Sequence, residues 1–341
     1  MDEHLMPRKV TRADVARLSG VSTAVVSYVL NDGPKPVAKV TRERVLEAVR
    51  VLGYRPNAAA RALSRGTADT IGMIVVDSRN PFFAQLLHAL DRASVRNGRS
   101  LLIVNSDRER QSAVDQVHDL LARQVGGLIL ADVLTDTEQE IVASLGVPAL
   151  LINQYTGSGG LLPAMGVDFR AGARQAVDHV IGHGYRDVAF VGGALAIDQR
   201  ERGWADALRD AGLPLGQSVH APFSYEGGLS AGRAIAEADR RPRAVFAASD
   251  QIAIGLLAAF ADAGLRVPDD IAVVSFDGIA EAAYTRPALT TVAQPIAEMA
   301  DAAIRRLVDG AGDPGYTTFP TELLIRRSCG CDPSMDAPPT T

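Results

Sequence analysis

Residues 10–31 read VTRADVARLSGVSTAVVSYVLN, two helical periods on either side of a glycine. Thr11 is placed to cap a helix over 12–18, with Val15 and Leu18 on one apolar face. Gly20 breaks the run and supplies a tight turn. Ser22 is placed to cap a second helix to residue 30, in which Val25, Val26, Val29 and Leu30 recur at helical spacing. That periodicity leaves Thr23, Ala24, Ser27 and Tyr28 on the outer face. A third helix is expected from Thr41, with Val45, Leu46, Val49 and Leu52 inward and Gly53 as its stop. Three short helices with a glycine turn between the first two form a helix-turn-helix pattern, whose second helix is shaped to enter a major groove. An ordinary small helical bundle has the same periodicity, so the pattern gains its meaning from what surrounds it.

Charge is the first such feature. The chain has 341 residues and a net charge of −5, yet residues 1–66 carry +6 and the remainder −11. A basic head on an acidic body suits one segment meeting a polyanion, although a solvated basic face gives the same count. The next stretch outward, YRPNAAARALSRG (54–66), has Pro56 at a helix start followed by an alanine-rich turn or two, too short to be stable without a partner. Arg61 and Arg65 suit phosphates, and Leu63 suits a wedge between base steps of a minor groove. A plain linker is the alternative.

Apolar runs then recur: TIGMIVV, SLLIVN, GGLIL, PALLIN, DVAFVGG, AVFAAS and IAVVSF. Amphipathic stretches such as FAQLLHALDRASVRNG and QIAIGLLAAFADAG separate them. Continuous apolar strands alternating with helices imply parallel sheets covered on both faces, and the units are too many for one small sheet. Two doubly wound α/β subdomains fit. Several strands run into polar residues, namely Asp77, Asp107, Asp132, Asn153, Asp250 and Asp277. Ligands bind beyond the carboxyl ends of such strands, but each of these side chains could equally cap the helix that follows.

Catalytic chemistry finds little support. GLSAG (228–232) matches a nucleophile elbow, but no histidine follows Ser230. All three lysines lie in the head, which removes a Walker or Schiff-base lysine from the body, and G-x-G-x-x-G is absent. Cys329-x-Cys331 supplies two thiols but no nearby histidine for a four-ligand zinc site, so no metal and no cofactor is expected. Two cysteines in 341 residues, no apolar h-region at the start and no eighteen-residue apolar run point to a cytoplasmic protein with no membrane partner.

The pieces VTRADVA, GVS, TRERV, GYRPNAAARAL, NPFFAQLL, HGYRDVAFVGG, RERGW, SDQIAIG, VVSFDG and FPTELLIRRS together resemble the LacI/GalR family over nearly the whole chain. The resemblance implies a helix-turn-helix head (8–54), a hinge helix (55–68) and a periplasmic-binding-protein-like body (69–331). Within that body it implies an N-subdomain of 69–165 with 294–320 and a C-subdomain of 166–293 with 321–331. Residues 332–341 are expected to form a disordered tail without a leucine heptad, which favours a homodimer over a coiled-coil tetramer.

By the same match, Thr23, Ala24 and Tyr28 stand where bases are read, Thr11, Ser22, Ser27 and Asn31 where phosphates are gripped, and Leu63 where the central step is levered open. Arg12, Asn57 and Arg61 join them as DNA contacts. Position 28 is often arginine in the family, so tyrosine there implies a different half-site. Arg200 and Asp277 stand where an effector is clamped and Phe223 where a ring stacks on it. Asn80, Phe82, Asn153, Ser249, Asp250 and Gln294 follow as further effector candidates; position 249 is frequently asparagine in relatives. The implied function is a dimeric, ligand-responsive repressor of a near-palindromic operator, with a sugar as effector. A sugar-binding module without DNA function, and a sugar-acting enzyme, are the alternatives.

Overall fold

The computed structural model describes residues 10–31, 36–54, 69–154, 160–193 and 198–331. The hinge reading of 55–68, with Asn57, Arg61 and Leu63, and the tail over 332–341 lie outside the described residues. The chain divides into two units, Met1–Ala68 and Asp69–Thr341.

In the first unit, α1 (Arg12–Ser19) starts with a capping box: the Thr11 hydroxyl accepts from the Asp14 N–H, and the Asp14 carboxylate accepts from the Thr11 N–H. Gly20 ends it at φ 67°, a left-handed conformation that costs glycine little. The Ser22 hydroxyl accepts from Val25 N–H and opens α2 (Thr23–Asn31). α3 (Lys39–Leu52) begins two residues before Thr41 and stops at Gly53. The three helices share a core of Val15, Ala16, Val26, Val29, Val45 and Ala48.

Of the other expected core residues, Val25, Leu30, Val49 and Leu52 are only half-buried, and two are exposed. Leu18 is 54% and Leu46 46% exposed, while the small Ala16, Ser19 and Ala48 are buried. The reason is close approach: alanine and serine at the contact let short helices touch along a narrow face, which turns the neighbouring leucines outward. Ser19 tolerates burial because its hydroxyl donates to the Val15 carbonyl at 2.7 Å.

In the second unit the chain lays down β1 (Thr70–Val75), α4 (Pro81–Arg96), β2 (Ser100–Asn105), α5 (Ala113–Ala122), β3 (Gly127–Ala131), α6 (Asp136–Ser144), β4 (Ala149–Ile152) and β5 (Pro163–Val167). It then crosses to a second sheet through α7 (Phe169–Gly182), β6 (Val188–Gly192), α8 (Gln199–Asp210), β7 (Ser218–His220), α9 (Tyr225–Glu237), β8 (Ala244–Ala247), α10 (Asp250–Asp262), β9 (Ala272–Asp277) and β10 (Thr290–Ala293). After β10, α11 (Ile296–Val308) leads back to β11 (Gly315–Phe319) in the first sheet. β12 (Glu322–Leu324) then returns to the second.

The strand orders are β11-β5-β4-β3-β1-β2 and β12-β10-β9-β8-β6-β7. All pairs are parallel except β10 with β12, which is antiparallel and departs from the expected all-parallel plan. Strands such as β3, β5, β6 and β9 are buried along their whole length, as strands covered on both faces must be. Core side chains run from Met73 and Leu90 through Phe190 and Phe246 to Met299. Among the described residues no helix is long and apolar enough to cross a membrane.

Each sheet reverses its strand order once, between β1 and β3 in the first and between β6 and β8 in the second. Crevices open beyond the carboxyl ends of the strands at such switch points. The functional side chains of the body gather at the second of them.

Candidate functional site

Arg200 is the second residue of α8, the helix that leaves the switch point. Asp198 caps that helix by accepting from the Arg200 N–H at 2.9 Å, and the same oxygen accepts from Arg200 Nε at 3.1 Å. Arg200 Nη1 donates to the carbonyl of Ala248, just past β8, at 3.0 Å. The guanidinium carbon stands 4.9 Å from the Phe223 ring centre, 5.2 Å from Phe169 and 5.8 Å from Phe276. Three ring faces and two anchored nitrogens hold the fork in one orientation. Among the described residues Nη2 has no hydrogen-bond partner, which leaves it for a ligand.

Asp277 ends β9 at φ 117°, a conformation that non-glycine residues rarely adopt and that occurs at functional positions. Gln294 Nε2 donates to its carboxylate at 3.1 Å, and the Gln294 N–H donates to its carbonyl at 3.2 Å. Burial pushes the Asp277 carboxyl up to about 8; Arg200 pulls it down, and the carboxylates of Asp250 and Asp198 push it further up. At neutral pH this side chain therefore carries its proton much of the time and can donate as well as accept.

Among the described residues several buried oxygens lack partners: Asn153 Oδ1 beyond β4, Asp198 Oδ2 and Gln294 Oε1. Asn153 also sits at a positive φ, 58°. Unsatisfied buried acceptors are costly, which marks these oxygens as candidates for ligand donors.

The structure thus brings Arg200, Asp277, Gln294 and Phe223 together, with Asn153 at a strand end of the other sheet. The remaining candidates are engaged in caps, core and loop contacts, and Asp250 also lies close enough to Asp277 to raise its carboxyl. Asn80 caps α4 by accepting from Phe82 N–H at 3.0 Å, and Ser249 caps α10 by accepting from Ile252 N–H at 3.2 Å with only 1% of its surface exposed. Phe82 lies in the core, and its half-buried neighbour Phe83 is the more accessible ring. Asp250 is fully buried: it accepts from Ser275 Oγ and from Ile279 N–H at 2.8 Å, which pins the loop after β9. Burial raises its carboxyl to about 6.

Asp198, Phe169 and Phe276 escaped the sequence reading. For Asp198 a signal existed, an aspartate two residues ahead of RERGW at a helix start. For the two phenylalanines none did, because buried strand and helix rings have no local signature. Ser230 of GLSAG falls inside α9, so no strand precedes it as an elbow requires.

At the switch point of the first sheet, Asp132 accepts from Ser106 Oγ at 2.6 Å and from Arg108 Nε at 2.7 Å. Gln85 Nε2 donates to Glu281 at 3.4 Å, from α4 to the 3-10 turn after β9, and joins the two subdomains at the side chains.

In the head, Thr23 and Ala24 are exposed at the start of α2, while Ser27 and Tyr28 are half-buried. Thr11 and Ser22 are the helix caps of α1 and α2, so these two of the four phosphate-gripping candidates mark helix N-termini, where backbone N–H groups favour anions. Arg12 is half-buried.

The expectation that Cys329 and Cys331 have no histidine within reach is overturned. His179 and His183 stand beside them, with all four ligand atoms within 4.8 Å of one another. Sequence distance hid this, since the pairs are 150 and 148 residues apart.

Residues 11–57 match the profile of bacterial regulatory proteins of the lacI family, and residues 177–329 that of a periplasmic binding protein-like domain. The chain is 33% identical over 330 residues to catabolite control protein A of Priestia megaterium, covering 94% of this chain and 99% of that protein. It is 33% identical over 315 residues to the ribose operon repressor of Escherichia coli K12, covering 89% and 94%. The solved lac repressor dimer bound to operator and the anti-inducer ONPF superposes with a TM-score of 0.85 at 27% identity, covering 94% of this chain and 99% of that one. With a helix-turn-helix head and a two-sheet binding body in one chain, the protein belongs to the LacI family of DNA-binding transcriptional regulators.

Proposed function

We propose that the protein is a cytoplasmic, homodimeric repressor that binds a near-palindromic operator and responds to a sugar held in the cleft between its two sheets. The observation that carries the sugar reading is the arrangement around Arg200: a fixed guanidinium fork, the protonatable Asp277, unpartnered acceptors on Asn153, Asp198 and Gln294, and the Phe223 ring. Neighbouring hydroxyls donate and accept at once, and the C–H face of a sugar ring packs on an aromatic wall. Solved relatives support the class, since one regulator was captured with cellobiose and another with ribose.

The DNA-binding arm of the proposal rests on α2, with Thr23, Ala24 and Tyr28 reading base edges and Thr11, Arg12, Ser22, Ser27 and Asn31 holding the backbone. Asn57, Arg61 and Leu63 are assigned to the minor groove at the operator centre. Two heads on one dimer fix the half-site spacing. A sugar that favours one orientation of the two sheets shifts the population of DNA-competent dimers.

The test is selection of random duplex DNA by the full-length protein, followed by a screen of sugars against the selected site. Enrichment of a near-palindrome whose affinity changes with one class of sugar is the expected result. Absence of enrichment both alone and with pooled sugars would remove the operator reading. A palindrome that answers only to a non-sugar ligand would remove the sugar.

A further inference from the structure

We propose that His179, His183, Cys329 and Cys331 form a closed four-ligand zinc site that staples the C-terminal turn of the body to the end of α7. Nothing in the effector cleft needs this cluster. Phe169, at the start of α7, lies in the ring box around Arg200, while His183 follows the other end of the helix. At 1.5 Å per residue the two positions are about 20 Å apart along the axis.

The geometry begins with spacing. His179 and His183 are one helical turn apart at the end of α7 and share a face. Their rings meet edge to face with centroids 4.7 Å apart, and both Nε2 atoms point inward at 3.3 Å from each other. From the other side, Cys329 and Cys331 flank Gly330, whose φ of 99° turns the backbone so that both thiols can face the same point. Any other residue would be strained there. His179 Nε2 is 3.3 Å from Cys329 Sγ and 3.5 Å from Cys331 Sγ, and His183 Nε2 is 3.2 Å from Cys331 Sγ.

A tetrahedral zinc ion with bonds of about 2.0 Å to nitrogen and 2.3 Å to sulfur sets N···N at about 3.3 Å and N···S at about 3.5 Å. The N···N separation and the three N···S separations above match these values, and all four ligand atoms lie within 4.8 Å of one another. A hydrogen-bonded cluster explains it less well, because His179 Nε2, with one proton or one lone pair to offer, faces three partners at once: His183 Nε2 and both sulfurs.

Ligand chemistry selects the metal. Two thiolates and two imidazoles suit zinc over the hard cations magnesium and calcium, and four protein ligands leave no open position for catalysis. Support from the surroundings is in place: the Thr290 hydroxyl donates to Cys329 Sγ at 3.1 Å, which stabilises a thiolate, and itself accepts from the Arg326 N–H at 2.8 Å. Cys329 is fully buried and Cys331 partly so, and neither is in a disulfide. In the step of binding, each thiol releases its proton to solvent as its sulfur forms a bond to zinc, and no electron transfer is involved.

The experiment uses the reduced full-length protein, loaded with zinc, dialysed, and assayed for metal by mass spectrometry, with a parallel sample loaded with cobalt. Expected are one zinc per chain, a Tm several degrees above that of the chelator-treated protein, and a cobalt spectrum with thiolate charge-transfer bands and tetrahedral d–d bands. Cys331→Ser and the milder His183→Gln should each lose more affinity in chelator competition than the roughly 10- to 100-fold typical of a lost outer partner. Their apo forms should melt close to the apo wild type. Wild-type protein with titratable thiols but no bound zinc, an octahedral cobalt spectrum, or variants that keep full affinity would each overturn the site. Preferential retention of copper would overturn the assignment to zinc.

Discussion

Arg200 is committed on two sides, to Asp198 and to the Ala248 carbonyl, and this commitment orients what remains of the fork. A lysine could supply the charge but not the two anchors and the planar stack on Phe223. Arg200→Lys is therefore expected to weaken effector binding at least tenfold, about 1.4 kcal/mol, while leaving operator affinity unchanged; calorimetry with the effector and a DNA-binding titration check the two halves.

Asp277 gives a pH signature. Its carboxyl ordinarily titrates near 3.8 and in the folded body is pushed up to about 8. The folded form therefore holds a proton that the unfolded form has released across that window, and stability falls as pH rises through it. The slope from this one group is at most about 1.4 kcal/mol per pH unit. Asp250, raised to about 6, adds the same sign over the lower part. Urea unfolding of the ligand-free protein across the range should show this decline, and Asp277→Asn should flatten its upper part.

At the scale of elements, the sequence made some legible and hid others for physical reasons. α1 and α2 were readable from their caps and α1 and α3 from their glycine stops, because capping is local chemistry, whereas α3 has no side-chain cap and its start was read two residues late. Which leucines face inward was not, since Leu18 and Leu46 follow from how closely alanine faces pack. Most strands announced themselves as apolar runs, but β5 (PAMGV) and β10 (TTVA), both inside a sheet, did not. β7, with three residues, and β11, whose GYTTF is mostly exposed, are edge strands that burial does not mark. Two adjacent rings, Phe82 and Phe83, differ by about 100° around α4, and only packing decides which one is core. Arg200 and Asp277, proposed to clamp the effector, were singled out through their motifs, whereas the Cys329 and Cys331 neighbourhood depends on tertiary contact alone.

The exposed start of α2 carries the sharpest element-scale expectation. With Ala24 offering only a methyl-sized contact and Tyr28 half-buried beside it, the selected half-site should lack the guanine that an arginine would demand at that position. Tyr28→Arg should restore it, with discrimination of about 1–3 kcal/mol, read by repeating the selection with the variant. An unchanged site would separate Tyr28 from base reading.

For the whole molecule, the final turn matters more than its length suggests. Ser328 Oγ donates to the Val273 carbonyl at 2.6 Å and accepts from the Thr290 N–H at 2.8 Å, while the Val273 N–H donates to the Ser328 carbonyl at 2.8 Å. Ser328→Ala leaves a buried N–H without its acceptor and should cost about 1–3 kcal/mol, measured as a shift in the urea midpoint at constant slope. Ser328 lies outside the cleft residues, so effector affinity of the folded fraction should not change.

The three crossings between the sheets have a further meaning during synthesis. β11 pairs with β5 and β12 with β10, so each sheet receives its last strand from residues 315–324, far along the chain. Neither half of the body can complete its hydrogen-bonded edge while the ribosome is still working on that segment. The head, whose core lies within residues 15–48, has no such dependence. Its contacts are local and therefore quick to form. A DNA-reading domain thus takes shape first, and the part that governs it is sealed only after nearly everything else has been made.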